Sequence, residues 1–217
     1  MSESGQSGGE MAAAITRAVS LVLPGGMDFV CRLIGSHDDE FLLETERLTL
    51  SRRPIARQRE SGAARYAARL LLEQKGLGGI AIPTGLQGAP QWPVNIRGSL
   101  AHDDVYAVAS VAWARDFEMV GVDVEPASPL PAEVAMLAVT QDDRPGDPRA
   151  DGLADRLLFC AKEAVYKAVY PSDRIVLNYD DIVVDLKQAT AATVTGWDLQ
   201  LVVCVRPRIV VIAFRRA

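Results

Sequence analysis

Helix-type and strand-type segments are interleaved along this chain without a regular βαβ alternation, and that order predicts an α/β (α+β) arrangement. The first long helix is predicted over Arg57–Glu73, RQRESGAARYAARLLLE, where alanines and leucines recur at helical spacing among arginines that leave one face solvated. Lys75-Gly76 marks its end. A second runs over Leu153–Tyr170 and stops at Pro171, with a shorter helix around Pro131–Val139. Strands are predicted at Val105–Trp113, Val120–Glu125, Ile182–Leu186, Leu199–Val205 and Ile209–Phe214, all short, β-branched and partly alternating. The last two pair as a hairpin about Arg206-Pro207-Arg208. Gly76–Gly98, with Pro83, Gly85, Gly88, Pro90 and Pro93, reads as a loop pinned to the core by Trp92. Thr140–Gly152 is a polar Pro/Gly loop of the kind that borders binding sites.

With 217 residues, of which 49% are hydrophobic, the chain can bury a substantial core as one large domain or two small ones. A net charge of −5 argues against generic nucleic-acid binding, which needs a concentrated basic surface. Ala12–Leu23 is interrupted by Arg17 and lacks a basic leader, so neither a signal peptide nor a membrane span is expected. Cys31, Cys160 and Cys204 are odd in number and far apart, which suits reduced thiols and a cytoplasmic location. The only histidines are His37 and His102, and no Cys/His spacing for zinc occurs. Residues 1–10, MSESGQSGGE, are small and polar and are expected to form a disordered tail.

Four constellations carry chemistry. In Gly121-Val122-Asp123-Val124-Glu125 the acids sit two apart, so a strand turns both carboxylates to one face, roughly 7 Å apart, as half of a hydrated Mg²⁺ site. A strand with one solvated face gives the same pattern. In Phe159-Cys160-Ala161-Lys162-Glu163-Ala164-Val165-Tyr166-Lys167, Glu163 and Lys167 are one helical turn apart. Such a pair is ordinarily a surface pair, but Phe159, Tyr166 and Tyr170 would partly bury it. Gly98-Ser99-Leu100-Ala101-His102 places a glycine turn, a hydroxyl and an imidazole where they could converge on a phosphate, whereas His37 reads as structural or exposed. Arg57 and Arg65, with Arg52, Arg53, Arg59 and Arg69 nearby, offer guanidinium groups that grip phosphates, although a solvated helix face would look alike.

Taken in order, these segments resemble the Sfp-type 4′-phosphopantetheinyl transferases, most closely their enterobactin-synthase component D-like branch. The resemblance runs from about Arg57 to Tyr179 and rests on Arg57, Glu60 and Arg65, on Trp92-Pro93 followed by Gly98-Ser99 and His102, on GVDVE, and on FCAKEAVYKAVYP. It implies two similar α/β halves in a pseudo-twofold relation, residues 11–118 and 119–217, with coenzyme A in the cleft between them. It implies Mg²⁺ held by Asp123, Glu125 and Glu163, nucleotide phosphates contacted by Arg57, Arg65, Ser99 and His102, and Lys162 at the pyrophosphate. Glu163 would deprotonate the serine of an acyl or peptidyl carrier protein, and Lys167 would stabilise or protonate the leaving phosphate. The product would be a phosphopantetheinylated carrier, with 3′,5′-ADP released, and the chain would act as a monomer. Siderophore, nonribosomal-peptide, polyketide and fatty-acid carriers all remain open. The alternatives are a non-catalytic module that binds coenzyme A or 3′,5′-ADP, and a Mg²⁺-dependent phosphodiesterase. Two departures stand out: Asn95 replaces a glycine after Trp-Pro, and Ala101 replaces a hydroxyl residue before His102, which is expected to remove a hydroxyl near phosphate.

Overall fold

The computed structural model describes residues 3–146 and 152–217. Its first element, α1 (Glu3–Ser20), buries Ala12, Ile15 and Val19 along one stripe. The expected tail is therefore corrected from residue 3 onward, while Met1 and Ser2 lie outside the described residues. Close packing accounts for the difference: a Cβ at Gly8 would stand 2.8 Å from Leu33 Cδ2, so the bare glycine lets α1 settle on β1 (Met27–Leu33).

Helices α2 (Glu44–Leu50) and α3 (Ile55–Gln74) follow, and α3 contains the predicted Arg57–Glu73 segment. Its buried stripe of Ala63, Ala64, Ala67, Ala68, Leu71 and Leu72 packs on an antiparallel sheet ordered β1-β3-β2, formed with β2 (Ile96–His102) and β3 (Tyr106–Trp113). As the central strand, β3 is buried from Tyr106 to Ala112, which explains its almost unbroken apolar run. Gly98 is not in a turn, as its sequence context suggested, but within β2. A side chain there would collide with the Trp92 ring at 2.8 Å, so the glycine gives the indole its seat.

The second sheet opens with β4 (Phe117–Glu125), after which come α4 (Ala132–Ala138) and α5 (Ala154–Asp173). Strands β5 (Ile182–Asp185), β6 (Thr190–Thr193), β7 (Asp198–Cys204) and β8 (Ile209–Arg216) complete it in the order β4-β8-β7-β6-β5, all antiparallel. Of the polar loop Thr140–Gly152, residues 147–151 lie outside the described residues. No helix among the described residues is long and apolar enough to cross a membrane.

Strand β4 joins the two layers. Its Val120, Val122 and Val124 enter a core shared with Ile15, Phe29, Val108 and Ile212, whereas Met119 belongs to a second core under α5 with Leu158, Ala161 and Val165. On that second face Gly121 meets α5 directly, for an added Cβ would lie 2.0 Å from Ala164 O and 2.6 Å from Ala168 N.

Gly121→Ala must push α5 off β4, so it should destabilise the protein by about 3 kcal/mol or leave it insoluble. Gly9→Ala, at an exposed helical position with nothing within 4 Å, should stabilise it by about 0.5–1 kcal/mol. Urea denaturation of both variants beside the parent measures the contrast.

Candidate active site

Where α5 crosses β4, the Lys167 Nζ donates to Asp123 Oδ1 at 2.6 Å. Asp123 is buried, and its second oxygen, Oδ2, is also buried and has no hydrogen-bond partner among the described residues. Burial raises the Asp123 carboxyl above its ordinary value, the Lys167 charge opposes this, and the nearby Glu163 charge adds to it. Burial disfavours the Lys167 ammonium, yet its contact with Asp123 outweighs that and holds the proton more tightly than usual.

Glu125 and Glu163 flank this pair. Glu125 Oε2 accepts from Arg156 Nη1 at 2.6 Å, and Arg156 also donates to the backbone oxygens of Ser128 and Pro129. Burial raises the Glu125 carboxyl, followed by repulsion from Asp123, while Arg156 counteracts both. Glu163 Oε1 accepts from Tyr179 Oη at 2.7 Å. Asp123 and Glu125 thus both find partners on α5, as the alternation along GVDVE requires.

These carboxylates were tested as a Mg²⁺ site. Among the described residues no three His, Cys, Asp or Glu side chains are gathered as a metal-binding group, and the three carboxylates contact different neighbours, Lys167, Arg156 and Tyr179. The chemistry of the donor set nevertheless suits a hard divalent ion: all three groups are carboxylates, Asp123 Oδ2 is unpartnered among the described residues, the Glu163 charge raises the Asp123 carboxyl, and the Asp123 charge raises that of Glu125.

A second group of charges lies on the α3 side. Arg57 Nη1 contacts Glu60 Oε2 at 2.9 Å, and His102 Nδ1 stands 3.6 Å from the same oxygen. Burial lowers the His102 pKa, Glu60 opposes this, and the positive charges of Lys167 and Arg57 lower it further, so Arg57, His102 and Lys167 share one electrostatic neighbourhood. Ser99, Gly98 and Trp92 line one wall of a cleft of about 220 Å³ whose other wall is Glu163, Tyr166 and Lys167.

Two predicted residues lie elsewhere. Arg65 is buried and donates from Nε to Ile82 O and from Nη2 to Thr84 Oγ1, both at 2.9 Å, so it anchors the loop after α3 instead of facing the cleft. Eight helical positions after Arg57 amount to a rotation of about 80°, which carries it off that face. Lys162, expected at the pyrophosphate, is fully buried and pairs with Asp143 Oδ2 at 2.6 Å. It follows the helix about 100° away from Glu163 and into the interior. Ala101 is 4% exposed and packs in the core shared by the two sheets, so the hydroxyl it lacks would have met apolar neighbours.

Sequence reasoning gave no role to Glu60, Asp143, Arg156 and Tyr179. Arg156 was detectable, since it precedes Glu163 by seven residues and so shares its stripe. Tyr179 carried no such signal, because it follows the irregular connection after α5.

Comparison with known proteins gives the family. Residues 45–112 match the 4′-phosphopantetheinyl transferase N-terminal domain, and residues 119–210 match the 4′-phosphopantetheinyl transferase superfamily, the two meeting at the β3–β4 connection. The chain is 34% identical over 165 residues to the 4′-phosphopantetheinyl transferase Npt of Nocardia iowensis, covering 75% of this chain and 74% of Npt. It is 35% identical over 156 residues to PptT of Mycobacterium tuberculosis, covering 70% and 67%. To Svp of Streptomyces mobaraensis it is 35% identical over 145 residues, covering 64% and 59%. The chain belongs to the 4′-phosphopantetheinyl transferase superfamily, a family of enzymes.

The lowered His102 pKa fixes the sign of one pH effect. The unfolded chain takes up this proton first, so the contribution of His102 to stability is present above its ordinary value of 6.5 and is lost as pH falls below it. His102→Gln should therefore flatten the loss of stability on the acid side, read as a smaller difference between urea midpoints measured one pH unit above and one below 6.5.

Proposed function

We propose that this chain transfers the 4′-phosphopantetheine group of coenzyme A to a serine of an acyl or peptidyl carrier protein, with Mg²⁺, releasing 3′,5′-ADP. The observation that carries the reading is the 2.6 Å contact of Lys167 with Asp123, beside Glu163 and with Asp123 Oδ2 unpartnered. The Lys167 ammonium, held by Asp123, lines the same cleft as Glu163, and this pairing supports the reading.

Asp123, Glu125 and Glu163 would hold the Mg²⁺, which when bound supplies charge neutralisation for the diphosphate. Arg57 and His102, with Ser99 on the facing wall, bind the nucleotide phosphates. The carrier's serine oxygen attacks the phosphorus that bears the pantetheine arm, its proton passes to Glu163, and the bond from that phosphorus to the bridging oxygen breaks. The electron pair leaves with 3′,5′-ADP, whose new phosphate charge Lys167 stabilises or protonates. Positioning and charge compensation account for most of the acceleration in such transfers.

The enterobactin-synthase-like assignment within the family rests on the motif spacing of this chain, and siderophore, nonribosomal-peptide, polyketide and fatty-acid carriers all present the serine it requires. The three free, buried cysteines support a cytoplasmic location. A cleft closed by one chain supports a monomer.

Incubation with coenzyme A, Mg²⁺ and an apo carrier should raise the carrier's mass by one phosphopantetheine. Glu163→Gln should slow this by about 100-fold or more. Coenzyme A binding without any mass shift across several carrier classes would point to a non-catalytic module, and phosphopantetheine released without a carrier would point to a phosphodiesterase.

A further inference from the structure

Lys162 and Glu163 are consecutive, yet they serve opposite sides of α5, and both reach the same residue. Lys162 Nζ donates to the backbone oxygen of Tyr179 at 3.0 Å, and the Tyr179 hydroxyl donates to Glu163 Oε1 at 2.7 Å. One residue is thus held through its backbone by the buried member of the pair and, through its side chain, holds the other.

We propose that Tyr179, fixed by the buried Lys162–Asp143 pair, is the positioning residue for Glu163. The inference rests on the reading of Glu163 as the acceptor of the serine proton. Neither the Lys162 nor the Asp143 side chain has any exposed surface, and their charges meet at 2.6 Å. A buried ammonium is costly unless it is paired and hydrogen-bonded, and here both conditions are met. Asp143 is itself immobilised, accepting from Thr140 N at 2.8 Å, Thr140 Oγ1 at 3.0 Å and Val184 N at 2.9 Å. The pair therefore ties α5 to the edge strand β5 and leaves Nζ able to donate to the Tyr179 carbonyl as well.

Tyr179 needs such a tie. It follows a connection in which Ile175 and Val176 are exposed and opens a single 3₁₀ turn, Tyr179–Asp181, closed by Asn178 N donating to Asp181 Oδ2 at 2.8 Å. Its ring lies 5.9 Å from that of Phe159, which leaves the hydroxyl aimed at Glu163. Glu163, partly exposed on the helix surface, is thereby confined toward the Asp123–Lys167 pair.

The test uses the full chain in the carrier-modification assay. Tyr179→Phe keeps the ring and removes only the donor, so kcat should fall about tenfold while KM for coenzyme A stays within about twofold and the melting temperature is unchanged. A parent-like kcat in this variant overturns the proposal. In a crystal structure of Lys162→Met, the Tyr179 carbonyl should be displaced and Glu163 should adopt a different rotamer, whereas an undisturbed Tyr179–Glu163 contact overturns the part played by Lys162. A parent protein that modifies no carrier would refute the functional reading instead, and the crystallographic comparison would still decide whether Lys162 and Tyr179 place Glu163.

Discussion

The position of every group at the site depends on how closely α5 lies on β4, and that approach depends on Gly121. Helix backbone occupies the space where a Cβ would stand, 2.0 Å from Ala164 O. Because side chains on a strand alternate, a helix seated on Gly121 is necessarily seated beside Asp123 and Glu125 as well. Because residues one turn apart share a helix face, contact at Ala164 and Ala168 brings Lys167 to Asp123 and Arg156 to Glu125. One missing side chain in GVDVE converts two unrelated sequence periodicities into a facing set of acids and bases.

That set is electrostatically expensive. Carboxylates with raised pKa values sit in a seam where burial opposes their charge, and one buried oxygen has no partner. Removing a cation from such a seam would leave an uncompensated charge, so Lys167 and Arg156 stabilise the fold. The same arrangement has the properties expected where charge must be neutralised during a reaction: fixed donors, restricted water and unused coordinating capacity.

How much of this could be read in the sequence depended on whether periodicity alone determined direction. Both chemical strips on α5 and β4 were legible, because spacings of two on a strand and four on a helix fix which residues share a face. Arg65 and Lys162 were misplaced for the same physical reason in reverse, since their residue type suits phosphate but their helical angle turns them inward. Helices α1 and α2 and strands β1, β2 and β6 escaped notice; in α1 and β2 the glycines and serines read as tail or loop, whereas in the fold Gly8 and Gly98 are sites of close approach. Arg206-Pro207-Arg208 was legible as a turn because strong β-type segments flank it on both sides.

The two departures from the enterobactin-like pattern gain a physical meaning once their places are known. Asn95 is exposed just before β2, and its backbone oxygen accepts from Ala114 N at 2.8 Å, a contact that any residue could make. Ala101 lies in the apolar core between the sheets. A hydroxyl there would need a hydrogen-bond partner or carry a desolvation cost, so alanine is the better fit to this interior. Neither substitution removes a charge or a donor from the cleft lined by Ser99, Glu163 and Lys167. What distinguishes this chain from the pattern therefore falls in its scaffold, away from Glu163 and the Asp123–Lys167 contact, so neither departure by itself speaks for a binding module that has lost its chemistry.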